Sequence, residues 1–255
     1  MKIKILFIIM AATLFSCQAS NNKADKDDSF KTPKGDIISI HFIKHASLMI
    51  MFKNQSIEID PVTDLSPKTD YTQMPKAKYI FITHSHYDHF DTKAISDLST
   101  KDTKIILNED CFQKLHKGLV MKNGDSLILD NDISVKAVPA YNITPGHLQY
   151  HPKNRDNGYI IDIEGLRIYI AGDTEDIPEM KDIKDIDIAF LPCNQPYTMT
   201  PKQLIRVAKI IKPHVLYPYH YGNINFDVST GKTNLSSISQ ALKGSGIDVR
   251  IRNLE

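Results

Sequence analysis

Residues 79–89 read YIFITHSHYDH, a run of apolar residues that passes directly into three histidines and an aspartate. The apolar part has the length and β-branched content of a strand that is covered on both faces. A histidine-rich surface loop is the simplest alternative for the polar part. Such a loop does not need a rigid apolar strand immediately before it, so the stretch predicts a site at the end of a buried strand.

The spacing of the polar side chains in this stretch favours a metal site. His84 and His86 lie two residues apart, so they project to the same side if the extended backbone continues through them. Asp88 and His89 follow where residues 90–92 turn toward a helix. Imidazole and carboxylate groups together suit zinc, iron or manganese. A strand-to-helix loop can direct all four side chains to one point, and we therefore predict that this loop binds metal.

The segments around the histidine cluster alternate between strand-rich and helix-rich blocks. Short β-rich runs fill residues 37–83, helical patterns follow within residues 91–117, and strands return at residues 126–170. The glutamate and glycine at positions 164 and 165 are expected to form the turn of a hairpin. The second half of the chain thus repeats the order of the first half.

A helix is predicted after residue 200, because Thr200 is a good N-cap and Pro201 suits the first helical position. The whole order of elements predicts an α/β (α+β) fold in which two sheets pack face to face with helices outside. No linker is evident within residues 36–255, so we predict that this range is one domain.

The first 35 residues are not expected to belong to that domain. Residues 1–16 combine a basic start with the apolar run Ile5–Phe15, which is too short to span a membrane. The run ends in LFSC, which resembles a bacterial lipobox whose cysteine, Cys17, receives lipid. An ordinary signal peptide with a chance cysteine, or a mitochondrial-type presequence, is the alternative. Residues 17–35 are polar and charged and predict a flexible tether.

These features predict a protein of the bacterial cell envelope that is anchored in a membrane through lipidated Cys17, on the periplasmic face or the cell surface. The formal net charge is +1, and removal of residues 1–16 with Lys2 and Lys4 lowers it to −1. Such a balance offers no strong field that attracts nucleic acid. We therefore expect no nucleic-acid partner.

Several motifs resemble those of one family. HSHYDH, at residues 84–89, matches the HxHxDH signature of the metallo-β-lactamase superfamily. HASLMIMFKNQSIEIDP resembles its first strands, IYIAGDT its Gly-Asp motif, and VLYPYHYG its late histidine at a strand end. LPCNQPYTMTP resembles a loop of metal-dependent hydrolases near the lactonase-like and N-acylphosphatidylethanolamine phospholipase D-like groups. The resemblance covers roughly residues 37–220 and implies a four-layer αββα sandwich.

The resemblance also implies two divalent metal ions, with zinc expected and manganese or iron as alternatives. The implied ligands are His84 and His86 for the first metal, Asp88 and His89 for the second, Asp173 as a bridge between them, and His220 to complete the second site. The pKa of bound water falls to about 7, so a hydroxide between the ions is a nucleophile at neutral pH. A turn aspartate and a packed strand histidine are the alternative interpretations of Asp173 and His220.

The third histidine of the first site departs from the family's pattern. Many relatives place it soon after a strand in an Ala-x-His context, where this chain has Asn142. Two candidates follow, His147 and His151. The sequence YHPK resembles a subgroup pattern that favours His151. A site without a third histidine, with one weak or missing metal, is the remaining alternative.

Two residues near the motifs are expected to support the chemistry. His45 resembles a histidine of the lactonase-like branch and is predicted, with Asp88, as a catalytic residue that lines the pocket or binds substrate; a structural histidine at a strand start is the alternative. Asp60 is predicted to orient a metal-ligating histidine, as such ligands usually require. Tyr71, Tyr141 and Tyr197 are candidate donors to an oxyanion, with a structural role as the alternative.

The resemblance implies a metal-dependent hydrolase in which a metal-bridging hydroxide attacks an ester, a lactone or a phosphodiester of a small molecule or lipid. Fold and metal do not choose among these substrates. The alternative is a metal-binding envelope lipoprotein without catalysis, acting as a sensor or scaffold. The departure at the third histidine keeps that alternative open.

Overall fold

The computed structural model describes residues 27–221 and 235–254. Within these residues, each half of the chain forms one seven-stranded sheet whose strands lie side by side in sequence order. The strands of the first sheet are β1 (Asp27–Lys31), β2 (Ile37–Lys44), β3 (Ser47–Phe52), β4 (Gln55–Ile59), β5 (Ala77–Phe81), β6 (Lys104–Leu107) and β7 (Leu119–Val120). The strands of the second sheet are β8 (Ser126–Ile128), β9 (Ile133–Ala140), β10 (Asp156–Ile163), β11 (Leu166–Ile170), β12 (Ile188–Pro192), β13 (Val215–Tyr219) and β14 (Asp248–Val249).

The two sheets share one pairing pattern. In the first sheet, β1 to β4 pair antiparallel and β4 to β7 pair parallel. In the second sheet, β8 to β11 pair antiparallel and β11 to β14 pair parallel. The predicted repeat of the first half in the second half is therefore confirmed. The turn between β10 and β11 also lies at Glu164 and Gly165, as predicted, and both residues have positive φ.

Four helices are described: α1 (Thr92–Leu98), α2 (Glu109–Leu115), α3 (Pro201–Ile211) and α4 (Leu235–Ala241). Short 3-10 turns cover Tyr71–Gln73 and Pro178–Asp182. Helix α3 begins as predicted, because the Thr200 side chain accepts from the Gln203 amide and the Gln203 side chain accepts from the Thr200 amide. None of these helices is long and apolar enough to cross a membrane.

The sheets pack face to face around a shared apolar core. The ring of Phe42 on β2 lies 4.9 Å from that of Tyr217 on β13, and Phe81 on β5 lies 5.3 Å from Tyr159 on β10. A second apolar cluster joins α1 and α2 to the outer face of the first sheet. A third cluster joins α3 and α4 to the outer face of the second sheet. The layers are helix, sheet, sheet, helix, which is the four-layer αββα arrangement expected from the sequence.

The first strand corrects the predicted extent of the tether. Residues 17–35 were expected to be flexible, yet Asp27–Lys31 pair in antiparallel register with β2. Asp28 accepts two hydrogen bonds of 2.7 Å from Arg252, and Phe30 packs against the core. An edge strand is held by backbone pairing and needs few apolar side chains, which is why a polar composition concealed it. The predicted signal peptide, Cys17 and residues 18–26 lie outside the described residues.

Candidate metal centre

The HSHYDH motif forms the loop between β5 and α1. Backbone amides of His89 and Phe90 both donate to the carbonyl of His86, at 3.0 and 2.9 Å, which makes a tight turn. Asp91 then caps α1 by accepting from the amides of Lys93 and Ala94. The turn and the cap fix the chain direction at both ends of the loop, so four side chains of one short segment point to the same side.

Four side chains form a first ligand group, in which one atom of each lies within 4.8 Å of the others. Its members are His84, His86, His151 and Asp173. Nε2 of His84 lies 3.0 Å from Nδ1 of His86, and that Nδ1 lies 3.3 Å from Nε2 of His151. Oδ2 of Asp173 lies 3.2 Å from Nε2 of His151.

A second ligand group meets the same distance limit and lies beside the first. Its members are His45, Asp88, His89 and His220. Oδ2 of Asp88 is the shared point of this group. It lies 3.3 Å from Nε2 of His45, 3.4 Å from that of His220 and 3.9 Å from that of His89.

Asp173 connects the two ligand groups. Its Oδ2 lies 3.2 Å from His151 of the first group and 3.3 Å from Nε2 of His220 of the second, and its Oδ1 lies 3.4 Å from Nε2 of His89. Gly172 permits this position, because it has φ +64 and an added Cβ would meet the Asn157 carbonyl at 2.9 Å. The carboxylate is thus placed where the resemblance implies a bridge.

Residues 39–220 match the family model described as a beta-lactamase superfamily domain, and this range contains every member of both ligand groups. The chain belongs to the beta-lactamase superfamily. The predicted family and its αββα fold are therefore confirmed.

Three known proteins illustrate the similarity of this superfamily member to others. A UPF0173 metal-dependent hydrolase from Ligilactobacillus salivarius is 34% identical over 185 residues, which are 69% of this chain and 82% of that protein. A crystal structure from Parabacteroides distasonis, assigned as a metal-dependent hydrolase, is 55% identical, has a TM-score of 0.83, and covers 90% of this chain and 99% of its own. The metallo hydrolase Igni18 from Ignicoccus hospitalis is 23% identical with a TM-score of 0.71, covers 85% and 95% of the two chains, and supports the fold alone.

The residues of this superfamily member fit divalent metal ions. Both ligand groups combine imidazole nitrogens with a carboxylate, a donor set that suits zinc, manganese or iron. Nε2 of His89 and Oδ1 of Asp173 are buried, and within the described ranges no hydrogen bond reaches either atom. Buried polar atoms without partners are costly in protein interiors, and a cation between the groups would satisfy both.

Asp60 orients His89 by accepting a hydrogen bond from its Nδ1. Its Oδ2 accepts from Nδ1 of His89 at 2.8 Å and from the Thr83 hydroxyl at 2.7 Å, and its Oδ1 accepts from the Thr83 amide at 2.8 Å. The Nδ1 proton is therefore held toward Asp60, and Nε2 faces Asp173. The structure places Asp60 against a histidine of the metal centre, as predicted.

His151, not His147, belongs to the first ligand group. Nδ1 of His147 lies 3.3 Å from Oε1 of Glu175, and its side chain is one-third exposed. His151 is 1% exposed, and its Nδ1 donates to the Tyr197 carbonyl at 3.1 Å. Asn142, where the family pattern led us to look for a histidine, is buried in the same loop, and its side chain donates to the Tyr197 carbonyl.

Burial and neighbouring charges set the protonation of the first group. Burial lowers the pKa of His84 well below its ordinary value, and the neighbouring His89 lowers it further. Burial and His151 lower the pKa of His86 to about 4. Both rings are therefore neutral at physiological pH, which is the form that binds a cation.

In the second group, one histidine is protonated and carboxylates balance its charge. Burial alone lowers the pKa of His89, but Asp173 and Asp88 outweigh it and raise this pKa to about 10. Burial by itself would raise the pKa of Asp88. His89 and contacts from His220 and His45 outweigh burial and hold this pKa well below its usual range. Without a cation, His89 is an imidazolium between two carboxylates. A cation that binds there displaces that proton, so binding weakens as the pH falls.

Sequence reasoning missed two contacts of the site. His45 was predicted to line the pocket, which it does, but it also joins the second ligand group. Buried Lys44 was not predicted to have a role; its Nζ donates to the carbonyls of Thr63, Leu65 and Pro67 at 3.0, 2.7 and 2.9 Å. No spacing rule identifies either contact, because the partners lie about 20 or more residues away.

Of the three tyrosines considered as oxyanion donors, only Tyr197 lines the cavity above the metal centre. Tyr71 is fully buried and its hydroxyl accepts from the Val62 amide. The hydroxyl of Tyr141 donates to Glu179. Tyr71 and Tyr141 therefore have structural roles.

Proposed function

We propose that the protein is a metal-dependent hydrolase that cleaves an ester, a lactone or a phosphodiester of a small or lipid substrate. The observation that carries this proposal is the pair of ligand groups joined by Asp173 at the floor of one cavity. The names of the Ligilactobacillus and Parabacteroides relatives support the same class of activity.

The proposed centre holds two divalent cations, with zinc expected and manganese or iron as alternatives. The first group would hold one cation, the second group the other, and Asp173 would contact both. When bound, the cations lower the pKa of a water molecule to about 7 and polarise the bond to be broken.

The protein's own residues orient the donors and handle protons. Asp60 and the Tyr197 carbonyl keep protons on Nδ1 of His89 and His151, so that Nε2 of each ring faces the centre. The Asp88 side chain is 18% exposed whereas that of Asp173 is 3% exposed. Both carboxylates line the cavity, and Asp88 is the more exposed of the two, so it is the one placed to exchange a proton with substrate or water. His45 supports it at 3.3 Å.

A cavity of about 690 Å³ lies above the centre and is large enough for a small organic substrate. Besides residues of the two ligand groups, it is lined by Leu65, Ser66, Ser85, Tyr87, Tyr150, Asn194 and Tyr197. The rings of Tyr150 and Tyr197 pack edge to face at 4.9 Å. Among the described residues that line it, none is Lys or Arg. Such walls favour a neutral ester or lactone over a phosphodiester.

The nearest arginine does not change this expectation. Nη2 of Arg155 lies 3.4 Å from Nε2 of His86, but the guanidinium makes hydrogen bonds of 2.7 and 2.8 Å to Asp156 and one of 2.9 Å to the Tyr150 carbonyl. Its charge is thus already paired. Among the described residues that line the cavity, no Lys or Arg would contact an anionic group of a substrate, which would depend on the bound cations.

The second candidate is a metal-binding envelope lipoprotein without catalysis. Such a protein would bind metal through the same two ligand groups but would not turn over a substrate. Anchoring through lipidated Cys17, and with it a place at a membrane of the bacterial envelope, belongs to both candidates and rests on the sequence of residues 1–17. Absence of a nucleic-acid partner likewise remains an expectation from charge.

The test is hydrolysis by the full chain in mild detergent, with zinc or manganese supplied. The substrates are 4-nitrophenyl esters, simple lactones and bis(4-nitrophenyl) phosphate. We expect metal-dependent turnover that Asp88→Ala reduces at least about 100-fold. Asp64→Ala, which changes an exposed aspartate paired with Lys68, is the matched control and should keep full activity. Metal binding without turnover of any substrate would favour the non-catalytic candidate.

A further inference from the structure

Asn142 lies two residues after β9, at the start of the loop that leads to His151. It is 2% exposed, so its amide group has to find partners within the protein. Nδ2 donates to the Tyr197 carbonyl at 2.7 Å and to the His147 carbonyl at 3.3 Å. The backbone amide of Asn142 donates to the carbonyl of His151 at 2.9 Å.

The Tyr197 carbonyl is shared between Asn142 and a metal-centre residue. It accepts from Nδ2 of Asn142 and also from Nδ1 of His151, at 3.1 Å. A carbonyl can only accept, so His151 carries a proton on Nδ1. Its Nε2 lies 3.2 Å from Oδ2 of Asp173, within the first ligand group.

The loop between Asn142 and His151 is held at its start as well. Oε2 of Glu175 accepts from the amides of Ile143 and Thr144 at 2.7 and 2.6 Å. Nδ1 of His147 lies 3.3 Å from the other oxygen of the same carboxylate. These bonds fix the start of the loop, and at its return Arg155 donates to the Tyr150 carbonyl at 2.9 Å, beside the contacts of His151 with Asn142 and Tyr197.

We propose that Asn142 is a positioning residue. It does not bind metal itself; it fixes the Tyr197 carbonyl, which in turn sets the tautomer and the direction of His151, a member of the first ligand group. The inference rests on the metal centre of the proposed function. Since the Tyr197 side chain lines the cavity, Asn142 also joins a substrate-facing wall to a metal ligand.

The test compares Asn142→Ala, Asn142→Ser and a matched control in the full chain, kept in mild detergent. The control is Asn123→Ala, because Asn123 donates to the carbonyls of Val138 and Asp156 and to Oδ1 of Asn157, and no hydrogen bond joins it to His151. Zinc affinity is measured by competition with a chromophoric chelator. We expect Asn142→Ala to weaken one of the two zinc sites about 10- to 100-fold, the usual effect of removing an outer partner of a metal ligand. Asn142→Ser should lie in between, and Asn123→Ala should match the unmutated protein.

The second readout does not depend on metal. Nitrogen-detected NMR of histidine-labelled, chelator-treated protein reports the tautomer of His151. We expect the Nδ1–H form to predominate in the unmutated chain and in Asn123→Ala, and to lose its predominance in Asn142→Ala. If Asn142→Ala does not fold, Asn142→Ser provides the same comparison.

Two results would overturn the inference: an unchanged zinc affinity and tautomer in the Asn142 variants, or an equal loss of zinc affinity in Asn123→Ala, which would indicate a general effect of stability. If the unmutated chain binds no zinc, the proposed function fails, and the tautomer comparison still decides whether Asn142 positions His151.

Discussion

Asp60 and His89 form a fully buried pair in which Nδ1 of the imidazole donates to Oδ2 of the carboxylate at 2.8 Å. The two residues lie 29 positions apart, Asp60 directly after β4 and His89 in the loop between β5 and α1. This pair determines which nitrogen of His89 faces the centre. It also raises the basicity of the ring, which strengthens its bond to a cation.

Asp60→Asn is therefore expected to weaken zinc binding at the second ligand group about 10- to 100-fold. The substitution keeps the shape and removes the charge, but it replaces one accepting oxygen with a donor, so the free energy of unfolding of the variant is measured as well. Zinc affinity by chelator competition is the measurement. Asp64→Asn, on a side chain that is 79% exposed, should leave the affinity unchanged. Equal zinc affinity in Asp60→Asn and the unmutated chain would show that the pair does not tune the site.

The choice between His151 and His147 can be tested by zinc content. We expect His151→Ala to reduce the content from about two ions per chain to about one, because it removes a donor of the first group. His147→Ala removes only the contact with Glu175 and should retain both ions. Elemental analysis of the purified variants is sufficient. Loss of an ion in His147→Ala alone would contradict the geometry described above.

Lys44→Met tests how the cavity wall is held. The ammonium group donates to three carbonyls of residues 63–67, and Leu65 and Ser66 of this segment line the cavity. Removal takes this donor from all three carbonyls, of which, in the part of the chain that the structure describes, only Thr63 keeps another, the Thr69 amide at 3.1 Å. We expect a loss of about 1–3 kcal/mol in the free energy of unfolding. Urea denaturation measures it.

The matched control is Lys68→Met, since Lys68 lies beside the same segment and its side chain is 77% exposed. It should change stability by no more than about 0.5 kcal/mol. With a substrate in hand, Lys44→Met should raise KM more than it lowers kcat, because the wall moves while the ligand groups remain. A pure kcat effect would argue against this account of the segment.

Glu58 predicts a pH dependence of stability. The carboxyl is 0% exposed on β4, and burial raises its pKa from 4.5 to about 7, partly offset by the hydrogen bond from Ser56. A raised carboxyl pKa stabilises the fold below pH 4.5, and this contribution is lost as the pH rises to about 7. The difference corresponds to about 3 kcal/mol.

Glu58→Gln removes this titration and keeps a polar group near Ser56. We expect the variant to be more stable than the unmutated chain at pH 8 and to approach it near pH 5. The measurement is the difference in free energy of unfolding between the two proteins at each pH, which cancels the titration of the histidine cluster. A constant difference from pH 5 to pH 8 would show that Glu58 does not titrate in this range.

Local sequence signals identified most of the fold and half of the centre. The loop that carries four candidate ligands was evident from six consecutive residues, and Thr200 and Pro201 marked the start of α3. These features depend on interactions between near neighbours in the chain, such as a cap or a turn. Strand β1 escaped notice because edge pairing uses the backbone, and its side chains alternate between exposed and partly buried positions.

The sequence by itself determined the two-sheet order, the family and the HxHxDH loop, because periodicity and motif spacing are properties of short segments. Only the tertiary structure decided that His151 joins the first ligand group, that His45 joins the second, and that Asn142 supports His151 through the Tyr197 carbonyl. Those relationships connect residues up to 175 positions apart, from His45 to His220. They exist because strands of both sheets end at one edge, and no local pattern encodes which loop residues meet there.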